Sequence, residues 1–123
     1  MSDAKDNSGT YSGGCHCGQV RFDVTADLSK VYSCNCSICL KRGALWAFVS
    51  PESFALRSGA EALVDYQFNK KLIHHLFCRQ CGVGSFSRGI ARSGRNVVTV
   101  NVRCLDGVDL SALTLTPVDG KNW

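Results

Sequence analysis

Gly14-Cys15-His16-Cys17-Gly18, Cys34-Asn35-Cys36-Ser37-Ile38-Cys39 and Cys78-Arg79-Gln80-Cys81-Gly82 are the three stretches that decide how this chain folds. They hold seven of its eight cysteines, and Cys104 stands alone. Thiols this closely spaced suit several thiolates converging on one ion better than they suit disulfide staples spread along a chain. An even number of cysteines also permits disulfides, in roughly a hundred pairings. The polar opening Met1-Ser2-Asp3-Ala4-Lys5-Asp6-Asn7-Ser8-Gly9 lacks the apolar stretch of a secretory signal, so a reducing, cytoplasmic setting is expected. Metal is therefore the expected role of the thiols. Zinc is the expected metal, because tetrahedral all-thiolate sites select zinc or iron–sulfur clusters.

The three stretches divide into two sites. In the first and third, two thiols are followed by a glycine that can take a left-handed turn, so the backbone can fold round a metal. Together, Cys15, Cys17, Cys78 and Cys81 make a closed four-thiolate site from distant segments, which is the structural type. The middle stretch supplies Cys34, Cys36 and Cys39 without an obvious fourth ligand. Three protein ligands with an open position is how catalytic zinc is held. Two zinc ions per chain are expected. Cys104, His74 or His75 could close the second site, although adjacent residues on a strand point to opposite faces and only one histidine could serve. Cys104 is also readable as a buried free thiol at the end of a valine-rich strand, and His16 as a surface residue.

Outside the cysteines, alternation dominates. Val20, Phe22 and Val24 alternate with Arg21, Asp23 and Thr25. Val64, Tyr66 and Phe68 do so against Asp65 and Gln67, and Val98, Val100 and Val102 against Thr99, Asn101 and Arg103. Period two marks half-buried strands. Further strands are expected over residues 44–50, 54–58, 72–77 and 83–88, with turns at Ser58-Gly59, Asn69-Lys70, Ser93-Gly94 and Asp106-Gly107. Helix is expected only as a short turn after Cys36 and a piece near 109–113. The length of 123 residues fits one domain, placed at 10–119 between mobile tails of 1–9 and 120–123. The reading is a mainly β, antiparallel, zinc-stabilised fold. No apolar run reaches the roughly 18–20 residues of a membrane span. A net charge of +4 is scattered rather than blocked, which permits a nucleic-acid partner without suggesting one.

The three cysteine motifs, in this order, resemble those of the glutathione-dependent formaldehyde-activating enzyme family, which also includes centromere protein V. Val20-Arg21-Phe22, Pro51 before a phenylalanine, Gly59 before Leu63 and Tyr66, and Leu105-Asp106 extend the similarity from about Ser12 to Asp106. The resemblance implies a β-tent related to zinc ribbons, a structural zinc at Cys15, Cys17, Cys78 and Cys81, and a catalytic-type zinc at Cys34, Cys36 and Cys39. The family often carries a further histidine where this chain has Asn35, and a bulky aliphatic residue within the stretch that here reads Val83-Gly84-Ser85-Phe86.

The implied activity is that of a carbon–sulfur lyase of the S-hydroxymethylglutathione synthase type, joining glutathione or another small thiol to formaldehyde or a related aldehyde. A substrate thiolate joining three protein thiolates would raise the charge of the zinc site from −1 to −2, so nearby cations are needed. Lys41 and Arg42 follow the cluster and are candidate glutathione contacts. Trp46 and Phe48 are expected in the core, and no general acid or base is assigned. The alternative is a non-catalytic zinc module that binds a protein or nucleic acid.

Overall fold

Ten strands and one short helix are found among the described residues of the computed structural model, which are 8–67, 73–91 and 93–119. In chain order they are β1 (Ser8–Gly14), β2 (Arg21–Asp27), β3 (Val31–Cys34), α1 (Ser37–Arg42), β4 (Trp46–Val49), β5 (Phe54–Ser58), β6 (Leu63–Tyr66), β7 (Ile73–Cys78), β8 (Phe86–Ile90), β9 (Asn96–Asn101) and β10 (Leu115–Val118). They form a three-stranded sheet, β1-β2-β5, and a seven-stranded sheet, β10-β3-β4-β9-β8-β7-β6. The fold is mainly β, as the alternation predicts. One pair departs from the antiparallel expectation: β10 lies parallel to β3, with Leu115 beside Val31 and Val118 beside Cys34.

Alternation chooses the faces that build the core. On β2, Phe22, Val24 and Ala26 are buried while Thr25 is exposed, and Val98, Val100 and Val102 are sealed at the other sheet. Phe22 of β2, Phe54 of β5 and Phe86 of β8 meet between the sheets, with ring centroids 4.7–5.8 Å apart. These rings bury large apolar areas in tilted and edge-on contacts, which fixes how the two sheets sit on each other.

At β6 the expected burial fails. Val64 and Tyr66 are exposed, because β6 is the edge strand of the large sheet. Phe68 and Leu72 lie outside the described residues. On β4, Trp46 is buried as expected, but Phe48 is 52% exposed and stacks on Tyr32 of β3 at 5.1 Å. Of the expected tails, residues 1–7 and 120–123 lie outside the described residues, and Ser8 and Gly9 open β1.

One turn is set by close approach. At Gly59, φ is +88°, and a Cβ there would lie 2.3 Å from the Gln19 carbonyl oxygen and 2.8 Å from Val20 Cα. Only glycine allows both this conformation and this contact between the β5–β6 turn and the segment just after the first cysteine motif.

Candidate metal centres

The first centre is built from two matching turns. Cys15 closes one through its N–H to the Val20 carbonyl, and Cys78 closes the other through its N–H to the Val83 carbonyl, both at 3.1 Å. Each turn has a left-handed glycine after its second cysteine, Gly18 at φ +85° and Gly82 at φ +82°. The predicted glycine turns are therefore present in both. β7 delivers Cys78 to the end of the large sheet, and the segment between β1 and β2 delivers Cys15 and Cys17 from the small one.

The sulfurs of Cys15, Cys17, Cys78 and Cys81 all lie within 4.8 Å of one another. Cys17 Sγ is 3.6 Å from Cys15 Sγ and 3.7 Å from Cys78 Sγ. A tetrahedral ion with Zn–S bonds of about 2.3 Å has S···S edges of about 3.8 Å. The N–H groups of Val20 and Gln80 point at the sulfurs of Cys15 and Cys78, each at 3.3 Å.

Electrostatics at this centre call for a cation. Burial works to raise the Cys81 thiol, but the Val83 N–H and the neighbouring Cys17, Cys15 and Cys78 bring it down to about 6. Cys15 is also lowered: burial opposes this, and the Val20 N–H and Cys17 outweigh it. At Cys17 the Gln19 N–H works downward, yet desolvation and three adjacent sulfurs push it up to about 11. Sulfurs this close ionise one at the expense of another. A divalent cation among them lets all four be thiolates, so the donor set fits zinc.

The second centre sits where β3 runs into α1. Cys34 ends β3, Cys36 caps the helix start, and Cys39 faces inward one turn on. Their sulfurs also lie within 4.8 Å of one another, and no other His, Cys, Asp or Glu among the described residues joins the group. Asn35 is tied to the chain end, its N–H donating to the Val118 carbonyl and its side-chain amide to Asp119. The Cys36 N–H donates to Cys34 Sγ at 3.4 Å, and the Trp46 indole N–H to Cys39 Sγ at 3.2 Å. Burial, then Cys36 as a neighbour, push Cys39 far up, whereas at Cys36 the N–H and thiol of Cys39 overcome burial and lower it. The same splitting, and the same argument for a cation, hold here.

The other sequence candidates separate. Cys104, on the 3₁₀ turn Val102–Cys104, is half-buried; burial, with Cys15 and Cys81 as charged neighbours, pushes it up to about 11. Those neighbours belong to the first centre, so Cys104 is not placed to close the second. His74 holds Asp65 at 2.6 Å and Gln67 at 3.1 Å on one face of β7, while His75 is buried on the other. His16 is exposed, and so is Lys41. Arg42 instead is half-buried: its guanidinium lies 5.9 Å from the centre of the Phe77 ring, and burial lowers its pKa, opposed by the charge of Cys39. Gly84 leaves the room for it, since a Cβ there would come within 2.8 Å of Arg42 Nη1.

The sequence reading missed Trp46 as a sulfur hydrogen-bond donor, along with the roles of Gly84 and Ser87 described here and below. The position of Trp46 seven residues after Cys39 carries the only sequence signal among these.

A two-sheet β domain with one four-cysteine and one three-cysteine centre defines a class of proteins that carry two candidate zinc sites of unlike character. The chain belongs to the glutathione-dependent formaldehyde-activating enzyme family, whose model matches residues 10–118. It is also similar to the crystal structure of a Rhodobacter sphaeroides protein, with 34% identity and a TM-score of 0.75. That match covers 85% of this chain and 99% of the other. The cysteine clusters are compatible with zinc, and no helix among the described residues is long and apolar enough to cross a membrane.

Proposed function

We propose that this protein is a cytoplasmic carbon–sulfur lyase-type enzyme on a zinc-stabilised β-tent, which condenses glutathione or another small thiol with formaldehyde or a related aldehyde. The observation that carries this reading is the three-sulfur group of Cys34, Cys36 and Cys39, to which no fourth candidate ligand is joined among the described residues. The four-sulfur group of Cys15, Cys17, Cys78 and Cys81 is the structural zinc site in this reading.

Zinc bound at the three-thiolate centre would hold a substrate thiol in its thiolate form near neutral pH. The residues of the chain then orient and balance charge. The Trp46 indole and the Cys36 N–H draw charge from the protein sulfurs through their hydrogen bonds. Arg42, three residues after Cys39, supplies the positive charge that offsets an added anion, and exposed Lys41 adds a second, outer cation. In the reaction the sulfur attacks the carbonyl carbon and a C–S bond forms. The carbonyl π pair moves to oxygen, which takes a proton, giving the S-hydroxymethyl product. Read in reverse, the same step is carbon–sulfur lysis.

The test is calorimetric titration of zinc-loaded protein with glutathione, using S-methylglutathione as control. Binding of glutathione alone is the expected result. Equal binding of both would place recognition away from the sulfur, and binding of neither would end the glutathione assignment.

A further inference from the structure

Two buried side-chain polar atoms have no hydrogen-bond partner among the described residues: Arg42 Nη1 and Ser87 Oγ. They lie on one face of the large sheet. Phe48, Thr99, Ser87, His75 and Tyr66 are successive partners across β4, β9, β8, β7 and β6, so their side chains point to the same side. Two residues along β4 from Phe48, that face carries Trp46, the donor to Cys39. Two residues along β7 from His75 it carries Phe77, over which the Arg42 guanidinium lies. The three-thiolate centre, the guanidinium and the hydroxyl therefore follow one another along a single face.

Neither group is there by default. Among the described residues the ion pairs join Arg21 to Asp106, Arg57 to Asp23 and His74 to Asp65, and none involves Arg42. Ser87 is 2% exposed, too little for water to serve its hydroxyl from outside. A buried donor left without an acceptor destabilises the fold, and more so when it is charged. An incoming acceptor regains that energy without paying desolvation at the protein side. The acceptor that fits both donors is a carboxylate, with two oxygens and lone pairs enough for an arginine fork and a hydroxyl together. Arg42 ends α1 and is only half-buried as a residue, so an incoming carboxylate would reach the sealed Nη1 and Ser87 hydroxyl as the Arg42 side chain swings outward.

We propose that Arg42 and Ser87 form a carboxylate subsite beside the three-thiolate centre, which selects thiols that carry a carboxylate. This deepens the proposed function and rests on it for the thiol half of the ligand. Glutathione carries two such groups, and simple mercapto acids one.

The experiment is calorimetry of the zinc-loaded protein with 3-mercaptopropionate and 2-mercaptoethanol, together with propionate tested by thermal shift. Wild type is expected to bind 3-mercaptopropionate at least about tenfold more tightly than 2-mercaptoethanol, the scale of one charge-assisted hydrogen bond. Arg42→Gln should weaken both thiols, because it removes the charge that balances a bound thiolate, but should also remove that preference, costing 3-mercaptopropionate at least about tenfold more than 2-mercaptoethanol. Ser87→Ala should remove part of it, and Arg42→Lys, which keeps the charge but not the fork, should fall between. Zinc content and circular dichroism report on the fold; if Arg42→Gln does not fold, Arg42→Lys and Ser87→Ala carry the same comparison. Equal loss for both thiols overturns the subsite. If wild type binds neither thiol, the proposed function fails, and propionate decides the subsite alone. Stabilisation of wild type but not of the Arg42 variant upholds it, and the same response in both, or none, overturns it.

Discussion

Replacing Cys17 with serine isolates what the four-thiolate centre contributes to stability. Cys17 is exposed, so the substitution removes a sulfur from the cluster without opening a cavity in the core. Its sulfur nevertheless touches that of Cys78, 61 residues away, so the centre closes a long loop. In the chain-entropy treatment, closing a loop of that length is worth about 4 kcal/mol, which is lost where the metal leaves with the sulfur, since Cys15 otherwise keeps the loop closed. Sharing the roughly 10–16 kcal/mol of a structural zinc among four thiolates gives about 2.5–4 kcal/mol for one. The two routes agree. Against a total stability of roughly 5–15 kcal/mol for a domain, the loss is large. It should lower the melting temperature by roughly 10–15 °C for a chain this size. By contrast, the Cys34–Cys36–Cys39 loop is six residues long, worth about 2 kcal/mol by the same treatment. Cys36→Ser should cost less still, since serine is itself a good N-cap. The assay is thermal unfolding by circular dichroism with zinc content measured in parallel, and chelator should bring wild type down at least to the Cys17→Ser value. A Cys17→Ser protein melting within about 3 °C of wild type, or Cys36→Ser proving the more damaging, would refute the reasoning; 3 °C is under about 1 kcal/mol here.

Trp46→Phe deletes the indole donor to Cys39 and should weaken metal at the second centre by about tenfold or less, the worth of one hydrogen bond, with the first centre unchanged; competition against a chromophoric chelator reads both. Gly59→Ala must accommodate both the left-handed backbone and the Gln19 carbonyl, and should destabilise by about 2 kcal/mol more than Gly94→Ala, where φ is +87° but the space is open; urea unfolding compares them. His75 has its pKa lowered by burial and then by Arg42. Its folded pKa thus lies below the unfolded value near 6.5, so the unfolded chain takes up the proton first and stability falls as pH drops from about 6.5 toward the folded pKa. The imidazole resonances should titrate below 6.5, and His75→Asn should flatten that part of the stability profile; a midpoint above 6.5 would contradict the burial argument.

Strands whose one face meets the core could be read in the chain directly. β5 begins and ends at Phe54 and Ser58, the residues expected, and the Val98-Val100-Val102 alternation points inward throughout. β1 could not be read this way. Ser8-Gly9-Thr10-Tyr11-Ser12-Gly13-Gly14 has almost no apolar content and owes its extension to pairing with β2. Alternation also does not say which face is covered. Val64 and Tyr66 carry the pattern of a buried face, yet they stand exposed on an edge strand. Spacing made the two sulfur groups legible because thiols a few residues apart have little freedom to separate. Arg42 and Ser87 come from segments 45 positions apart and share no motif; only the register of β8 with β7 and β9, and the gap left by Gly84, bring them to one face.

The order in which the cysteines occur has a consequence during synthesis. The Cys34–Cys36–Cys39 loop leaves the ribosome complete once residue 39 has emerged, whereas the four-thiolate centre must wait for Cys81. At roughly 5–20 residues per second, the intervening stretch takes about 2–8 s. Through that interval the shorter loop is the sole finished chelator on the nascent chain. Yet its own neighbour β10, whose Val118 holds Asn35, is made after the other described strands. The centre proposed for chemistry is thus loaded first and enclosed last, while the centre that joins the two sheets locks in between.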